Sequence, residues 1–334
     1  MINKNSFDGS LLTKGSFFRK SGLDTVEDEI AESVQKFLDT SKQSIGNEFV
    51  RDRGCEVCLS KKRRIIFYKF HFPHVKCLEC GFVYVAPVLK NEILKKHYIE
   101  SSNKWTDVTI GDDFREVQKK YNDFHLDNIE QVIGTENRSI LDIGCNAGEF
   151  LCDARERGWE TMGLELNTYA VEEARRKGLD VHNKEFNSEL FEGKKFGAIT
   201  FFGVLEHLPE PYIMLKSIRK ICETGSVVAS LVPNIDSLVA RTLHEKSNTF
   251  DGIEHINFWN RVTFSRFMSR AGYEVRHCET TISEIYTIDN YLNYNDPYSD
   301  FEKDISVLDT ITPEFIHRNF LGHHLCSYSR FLPD

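Results

Sequence analysis

Residues 141–150, LDIGCNAGEF, place an acid and two glycines at the end of a short apolar run formed by Ile140, Leu141 and Ile143. A helical pattern follows directly. Strand, turn and helix in that order let bare backbone approach a nucleotide-like ligand, with the first helical N–H groups pointing into the turn. Glu165 stands near the end of the next strand-like run, TMGLEL, 17 residues past Gly148. A carboxylate there suits the two hydroxyls of a ribose, which are donors seeking an acceptor. Farther along, VLEHLPEP sets Glu206 and His207 just beyond another apolar run. Histidine exchanges a proton near neutral pH without a large pKa shift, and a carboxylate beside it raises its basicity or binds a ligand itself. A different chemistry is written in Cys55-x2-Cys58 and Cys77-x2-Cys80, with 18 residues between the pairs. Each knuckle presents two thiolates to one ion, and two knuckles complete a tetrahedral zinc site.

These residues need elements to hold them. From Ser139 onward the chain alternates strand and helix patterns, which implies an α/β fold on a mostly parallel sheet. A helix from about Ala147 to Arg157 stops at Gly158, and another from Thr168 stops at Gly178. Strands are expected near 179–182, 196–204, 226–234 and 273–281, with helices carrying Met214, Leu215, Ile218, Ile221 and Cys222, and then RVTFSRFMSRAG. The seventh strand fits either residues 281–293 or residues 322–331. In such a sheet, ligands bind beyond the C-terminal strand ends. Upstream, IIFYKFHF reads as the strand of a zinc ribbon, and His71 and His74 read as surface or packing residues. A ribbon this small has little core, so the metal supplies much of its folding energy. A helix pattern covers Asp24 to about Ile45, and residues 86–138 read as helices leading into the first strand, with Trp105, Tyr121 and His125 as pocket or packing residues.

The turn departs from a nicotinamide-binding G-x-G-x-x-G, whose outer glycines lie five apart. Here Gly144 and Gly148 lie four apart. Together with Glu165, the turn resembles the first two signature segments of class I S-adenosylmethionine-dependent methyltransferases. That resemblance implies a Rossmann-like seven-stranded sheet. It also implies a cofactor site in which Asp142, Gly144, Cys145, Asn146 and Gly148 surround the methionine moiety. Glu165 and Leu166 would lie at the ribose, Glu185 at the adenine amine, and Gly203 at the end of the fourth strand. Cys145 reads as a small turn residue, not a nucleophile. Asn146 stands where the family commonly has glycine; asparagine tolerates positive φ, so the turn can still form. Phe196-Gly197 departs from the family's usual Phe-Asp. VLEHLPEP resembles a group with ubiquinone-pathway and sugar-modifying members, in some of which a matching Glu-His pair acts at the acceptor. The resemblance thus implies methyl transfer by in-line SN2 displacement, with His207 as candidate base beside Glu206. His255, in EHINFW, either faces the acceptor with Asn257 and Trp259 or is a loop residue over a core of Phe258 and Trp259. The zinc would be structural.

Composition bounds the rest. The chain has 334 residues, 40% hydrophobic and 28% charged, as in a globular protein, and the division expected is tail and helix (1–50), zinc ribbon (51–86), helical linker or lid (87–138), core (139–280) and a C-terminal extension of unknown role (281–334). No signal-peptide layout or membrane-length apolar run is seen, which points to a cytoplasmic enzyme of undetermined oligomeric state. The net charge of −9 makes nucleic acid an unfavoured partner, and the resemblance to sugar-modifying methyltransferases implies a small-molecule or saccharide acceptor as the leading expectation. Two alternatives stand beside it. One is an RNA methyltransferase using the ribbon and the basic run Lys61 to Arg64; the other is a noncatalytic S-adenosylmethionine-binding protein. The four tyrosines Tyr286, Tyr291, Tyr294 and Tyr298 fit a pocket, an interface or simple packing.

Overall fold

The computed structural model describes residues 26–39, 44–100, 103–299, 308 and 310–333. The polar first twenty residues lie outside the described residues, as does the side chain of Trp105. The chain folds as two units. One comprises residues 1–94, 233–263 and 279–325, the other residues 95–232, 264–278 and 326–334.

The second unit is built on a seven-stranded sheet. Its strands are β1 (Ser139–Ile143), β2 (Glu160–Leu164), β3 (Val181–His182), β4 (Phe196–Phe202), β5 (Cys222–Pro233), β6 (Tyr273–Thr281) and β7 (His324–Phe331), in the spatial order β3-β2-β1-β4-β5-β7-β6. The β1–β2, β2–β3, β1–β4 and β4–β5 pairings are parallel. Apolar residues fill the central strands on both faces, as a parallel sheet covered by helices requires: β4 is buried at six successive positions, whereas the edge strand β6 carries Glu274, Arg276, His277 and Glu279. The helices are α1 (Asp112–Val132), α2 (Glu149–Glu156), α3 (Thr168–Arg176), α4 (Pro211–Ile218) and α5 (Arg261–Ala271). The Rossmann-like α/β expectation is borne out. The seventh strand is the later of the two candidate segments and lies between β5 and β6. Cys222, expected on a helix face, instead opens β5 after a 3-10 turn over Arg219–Ile221.

In the first unit, Arg63–Lys69 and Phe72–Cys77 pair as an antiparallel hairpin. Val83–Val85 and then Asn257–Phe258 extend it to four strands. His71 is exposed beside the hairpin turn, whereas His74 is fully buried, stacked on Phe67 and packed against Phe250 and Phe258. The expected helix over 24–45 is shorter, running Val26–Gln35 and giving way to a two-residue ladder of Leu38–Asp39 with Ser44–Ile45. Past residue 281, the helix Ile285–Leu292 packs Ile288 and Tyr291 on Val239 and Leu243 of the helix Leu238–Leu243. No helix among the described residues is long and apolar enough to cross a membrane.

Candidate active site

The end of β1 turns through three left-handed positions: Gly144 (φ 79°), Asn146 (φ 47°) and Gly148 (φ 79°). The turn is fastened to β2, because Gly144 and Cys145 both donate their N–H to the Leu164 carbonyl at 2.8 and 3.1 Å. A side chain at Gly144 would run into Val204, so glycine is required there by space as well as by φ. Cys145 is buried among these groups and its thiol is pushed up by burial, which suits a packing residue.

Glu165 leaves β2 and binds backbone. Its Oε2 accepts the Asn146 N–H at 3.0 Å, and its Oε1 accepts those of Leu166 and Asn167 at 2.7 and 2.8 Å. One carboxylate therefore fixes two loops at the sheet edge and keeps acceptor capacity for a further donor. Asp142 faces Thr200 in the parallel register of β1 and β4, and Thr200 Oγ1 donates to it at 2.6 Å. Burial pushes the Asp142 carboxyl up to about 7, and the Glu165 charge adds to that rise. Glu185 differs in setting. It is exposed and paired with Lys95 at 2.8 Å.

Gly203 ends β4 with φ 70°. The next residues coil tightly, His207 N–H donating to the Val204 carbonyl at 3.0 Å. Glu206 is buried, 2% exposed, with Oε1 3.9 Å from His207 Nε2. The other ring nitrogen, Nδ1, lies 3.2 Å from the hydroxyl of Tyr98, on the helix Asn91–Glu100. The ring is thus held between a phenol and a carboxylate.

The sequence matches the methyltransferase domain family over residues 114–278. Residues 114–278 are a methyltransferase domain. A ubiquinone biosynthesis O-methyltransferase of Alkalilimnicola ehrlichii is 29% identical over 115 residues, 32% of this chain and 47% of that protein. Its counterpart in Actinobacillus pleuropneumoniae is 28% identical over 148 residues, 40% and 60% of the two chains. This chain thus spans about half the length of the curated relatives it matches. Among solved structures, a SAM-dependent methyltransferase from Archaeoglobus fulgidus aligns with TM-score 0.44 and 18% identity, covering 72% of this chain and 100% of that one.

Outside the methyltransferase domain, the four cysteines converge. Sγ of Cys55 lies 3.5 Å from that of Cys80, Cys58 stands at the same distance from Cys77, and all four lie within 4.8 Å of one another. Zn–S bonds of about 2.3 Å in a tetrahedron need sulfurs roughly 3.8 Å apart, so the donor set fits zinc. Each knuckle closes by backbone: Leu59 N–H donates to Cys55 O at 2.8 Å and Gly81 N–H to Cys77 O at 3.1 Å.

His255 also lies in the first unit. The Asp251 carboxylate caps its loop, accepting N–H groups from Ile253, Glu254 and His255. The His255 ring sets Nδ1 2.8 Å from the Thr249 carbonyl. A carbonyl cannot donate, so Nδ1 carries the proton and Nε2 is the acceptor of the neutral ring. Asn257 and Trp259 are fully buried, Asn257 Oδ1 accepting from Arg53 at 2.5 Å. In the second unit, His125 is enclosed by Phe202 and Tyr328, and Tyr121 is also buried. Two contributors escape sequence reasoning. Tyr98 lies 109 residues from His207 with no pattern linking them, whereas Thr200 is legible in principle as the parallel neighbour of Asp142.

Proposed function

We propose that this chain is an S-adenosylmethionine-dependent methyltransferase acting on a small-molecule acceptor, in the narrower form a saccharide. The observation that carries the proposal is the left-handed Gly144–Gly148 turn, held at the end of β1 by the Glu165 carboxylate. The family match and relatives named as O-methyltransferases support methyl transfer to a hydroxyl; the saccharide rests on resemblance alone. Asp142, Gly144, Cys145, Asn146 and Gly148 hold the methionine end, Glu165 and Leu166 the ribose, Glu185 the adenine side, and Gly203 closes the floor. Cys55, Cys58, Cys77 and Cys80 hold a structural Zn2+.

When bound, S-adenosylmethionine supplies a methyl group on a sulfonium, a leaving group that needs no metal. His207 takes the acceptor's proton at Nε2, donating Nδ1–H to the Tyr98 hydroxyl. The buried Glu206 carboxylate stabilises the imidazolium that forms. Much of the barrier reduction comes from alignment of acceptor, methyl and sulfur. His255 is the second candidate for an acceptor contact, through Nε2. A cytoplasmic setting suits reduced cysteines of this spacing.

Calorimetric titration with S-adenosylmethionine and S-adenosylhomocysteine tests the cofactor assignment. Micromolar binding is expected for the zinc-loaded protein, weakened by at least about tenfold in Asp142→Ala and Glu165→Ala. A folded protein that binds neither compound would defeat the proposal.

A further inference from the structure

Asn146 occupies the middle of the turn, where glycine would be free of strain. Its side chain reaches the helix Lys104–Ile110. Thr106 Oγ1 donates to Asn146 Oδ1 at 2.8 Å, and Asn146 Nδ2 points at Thr109 Oγ1 at 3.5 Å. The same short helix is tied to the loop after β2 and to the start of α3. Asn167 Nδ2 donates to Asn103 Oδ1 at 3.1 Å, and the Tyr169 hydroxyl donates to Asp107 at 2.9 Å. Three of these contacts join the helix or its N-cap Asn103 to the Asn146 turn and to Asn167, which Glu165 already links to each other, and the fourth reaches α3.

A seven-residue helix has no stability of its own, since isolated helices below about 12 residues are marginal in water. Its position depends on what it is tied to. Among its described side chains, only Thr106 and Val108 are buried, so the polar ties carry a large share of that docking. Two of them end on Asn146, assigned to the methionine, and a third on Asn167, the neighbour of Leu166, which is assigned to the ribose. We propose that Asn146 is a positioning residue: it latches the helix 104–110 over the cofactor turn and thereby slows cofactor exchange. The departure from glycine is then the functional feature, an amide gained at the cost of a left-handed asparagine. The retention step rests on the cofactor reading given above, whereas the latch itself does not.

The two parts separate experimentally on the full, zinc-loaded chain. Hydrogen exchange of residues 103–110 is followed without ligand in wild type, Asn146→Gly and Thr106→Val. Glycine accepts the φ of 47° freely, so the first variant removes the amide without straining the turn. Thr106→Val removes the donor from the other side with little change of shape. Faster exchange confined to 103–110 in both variants is expected, with S-adenosylhomocysteine released roughly tenfold faster in stopped flow, about one net hydrogen bond. Wild-type exchange in both variants would overturn the latch. Faster exchange with unchanged release would overturn retention. Absence of any S-adenosylhomocysteine binding by wild type would overturn the cofactor reading and retention with it, while the ligand-free comparison would still decide the latch.

Discussion

At the residue scale, Asp142 carries a pH signature. Its carboxyl, ordinarily at 3.8, is pushed up to about 7 by burial, with the Glu165 charge adding and the Thr200 hydrogen bond opposing. The unfolded chain releases this proton near pH 4, while the folded chain keeps it to about pH 7. Between those values the unfolded state binds fewer protons, so this group's contribution to stability falls as pH rises through that window and is flat above it. Asp142→Asn has no such proton. Urea unfolding at pH 5 and pH 8 should show a larger loss for wild type than for Asp142→Asn; equal losses would refute the shift. His207 and Tyr98 make a second expectation. His207→Asn should lower kcat by about 10²-fold or more if the ring is the base, since general bases contribute on that order. Tyr98→Phe should move the alkaline or acidic limb of the pH–rate profile and lower kcat less. An unchanged profile would leave Tyr98 a packing residue. The candidate base is legible in the sequence because Glu206-His207 abuts an apolar run, but its partner is not, because a contact over 109 residues leaves no local spacing.

At the element scale, spacing predicts well where chemistry fixes geometry. Two C-x-x-C pairs become a four-sulfur cluster because a knuckle's backbone brings its own thiols together, whatever surrounds it. The β1 turn is equally readable, since two glycines four apart supply the outer left-handed positions and asparagine tolerates the one between them. Elements whose limits depend on distant partners are not. The helix expected to reach Ile45 ends at Gln35, where Phe37 instead pairs its ring with Phe49 and its carbonyl with Gly46. Gly197 departs from the family's Phe-Asp, and the fold supplies the reason. A side chain there would strike the Asn137 carbonyl, which belongs to the segment entering β1. The ribbon makes the testable case at this scale. Its hairpin leaves Ile65 and Tyr68 exposed at 51% and 58% while Phe72, Phe82, Tyr84 and Val85 are fully buried, so the share of its folding energy that a metal on the four sulfurs would supply is a measurable quantity. Removing Zn2+ with a strong chelator, or Cys58→Ser, should expose residues 51–86 to protease while residues 139–232 stay protected. Unchanged protease resistance after verified metal removal would show that the ribbon folds without it.

At the scale of the whole molecule, sequence order and spatial order diverge. The chain passes between its two units after Leu94, Val232, Thr263, Cys278 and Leu325, so neither unit is one continuous piece. The consequence is sharpest for β7. It comes last in the chain yet sits between β5 and β6, which is why the pattern along residues 281–334 fits two segments and offers no means to choose. Its anchoring is dense. Tyr328 is fully buried with its hydroxyl 2.7 Å from His125 Nδ1, and Arg330 donates twice to the Val132 carbonyl at the end of α1. Leu332 N–H then donates to Gly272 O at 3.1 Å. Burial of Leu325, Tyr328 and Phe331 alone is worth roughly 1.5–3 kcal/mol each, against a net stability of about 5–15 kcal/mol for a typical domain. Deleting residues 324–334 would therefore forfeit an amount comparable to the whole margin, and would leave the facing edges of β5 and β6 without the strand that pairs them. The shortened chain is expected to aggregate, with no cooperative melt by circular dichroism and no S-adenosylhomocysteine binding, although every residue assigned to the cofactor remains. A soluble deletion variant melting like wild type would mean that β5 and β6 close on each other, and that the last strand is an accessory to the methyltransferase sheet instead of part of its core.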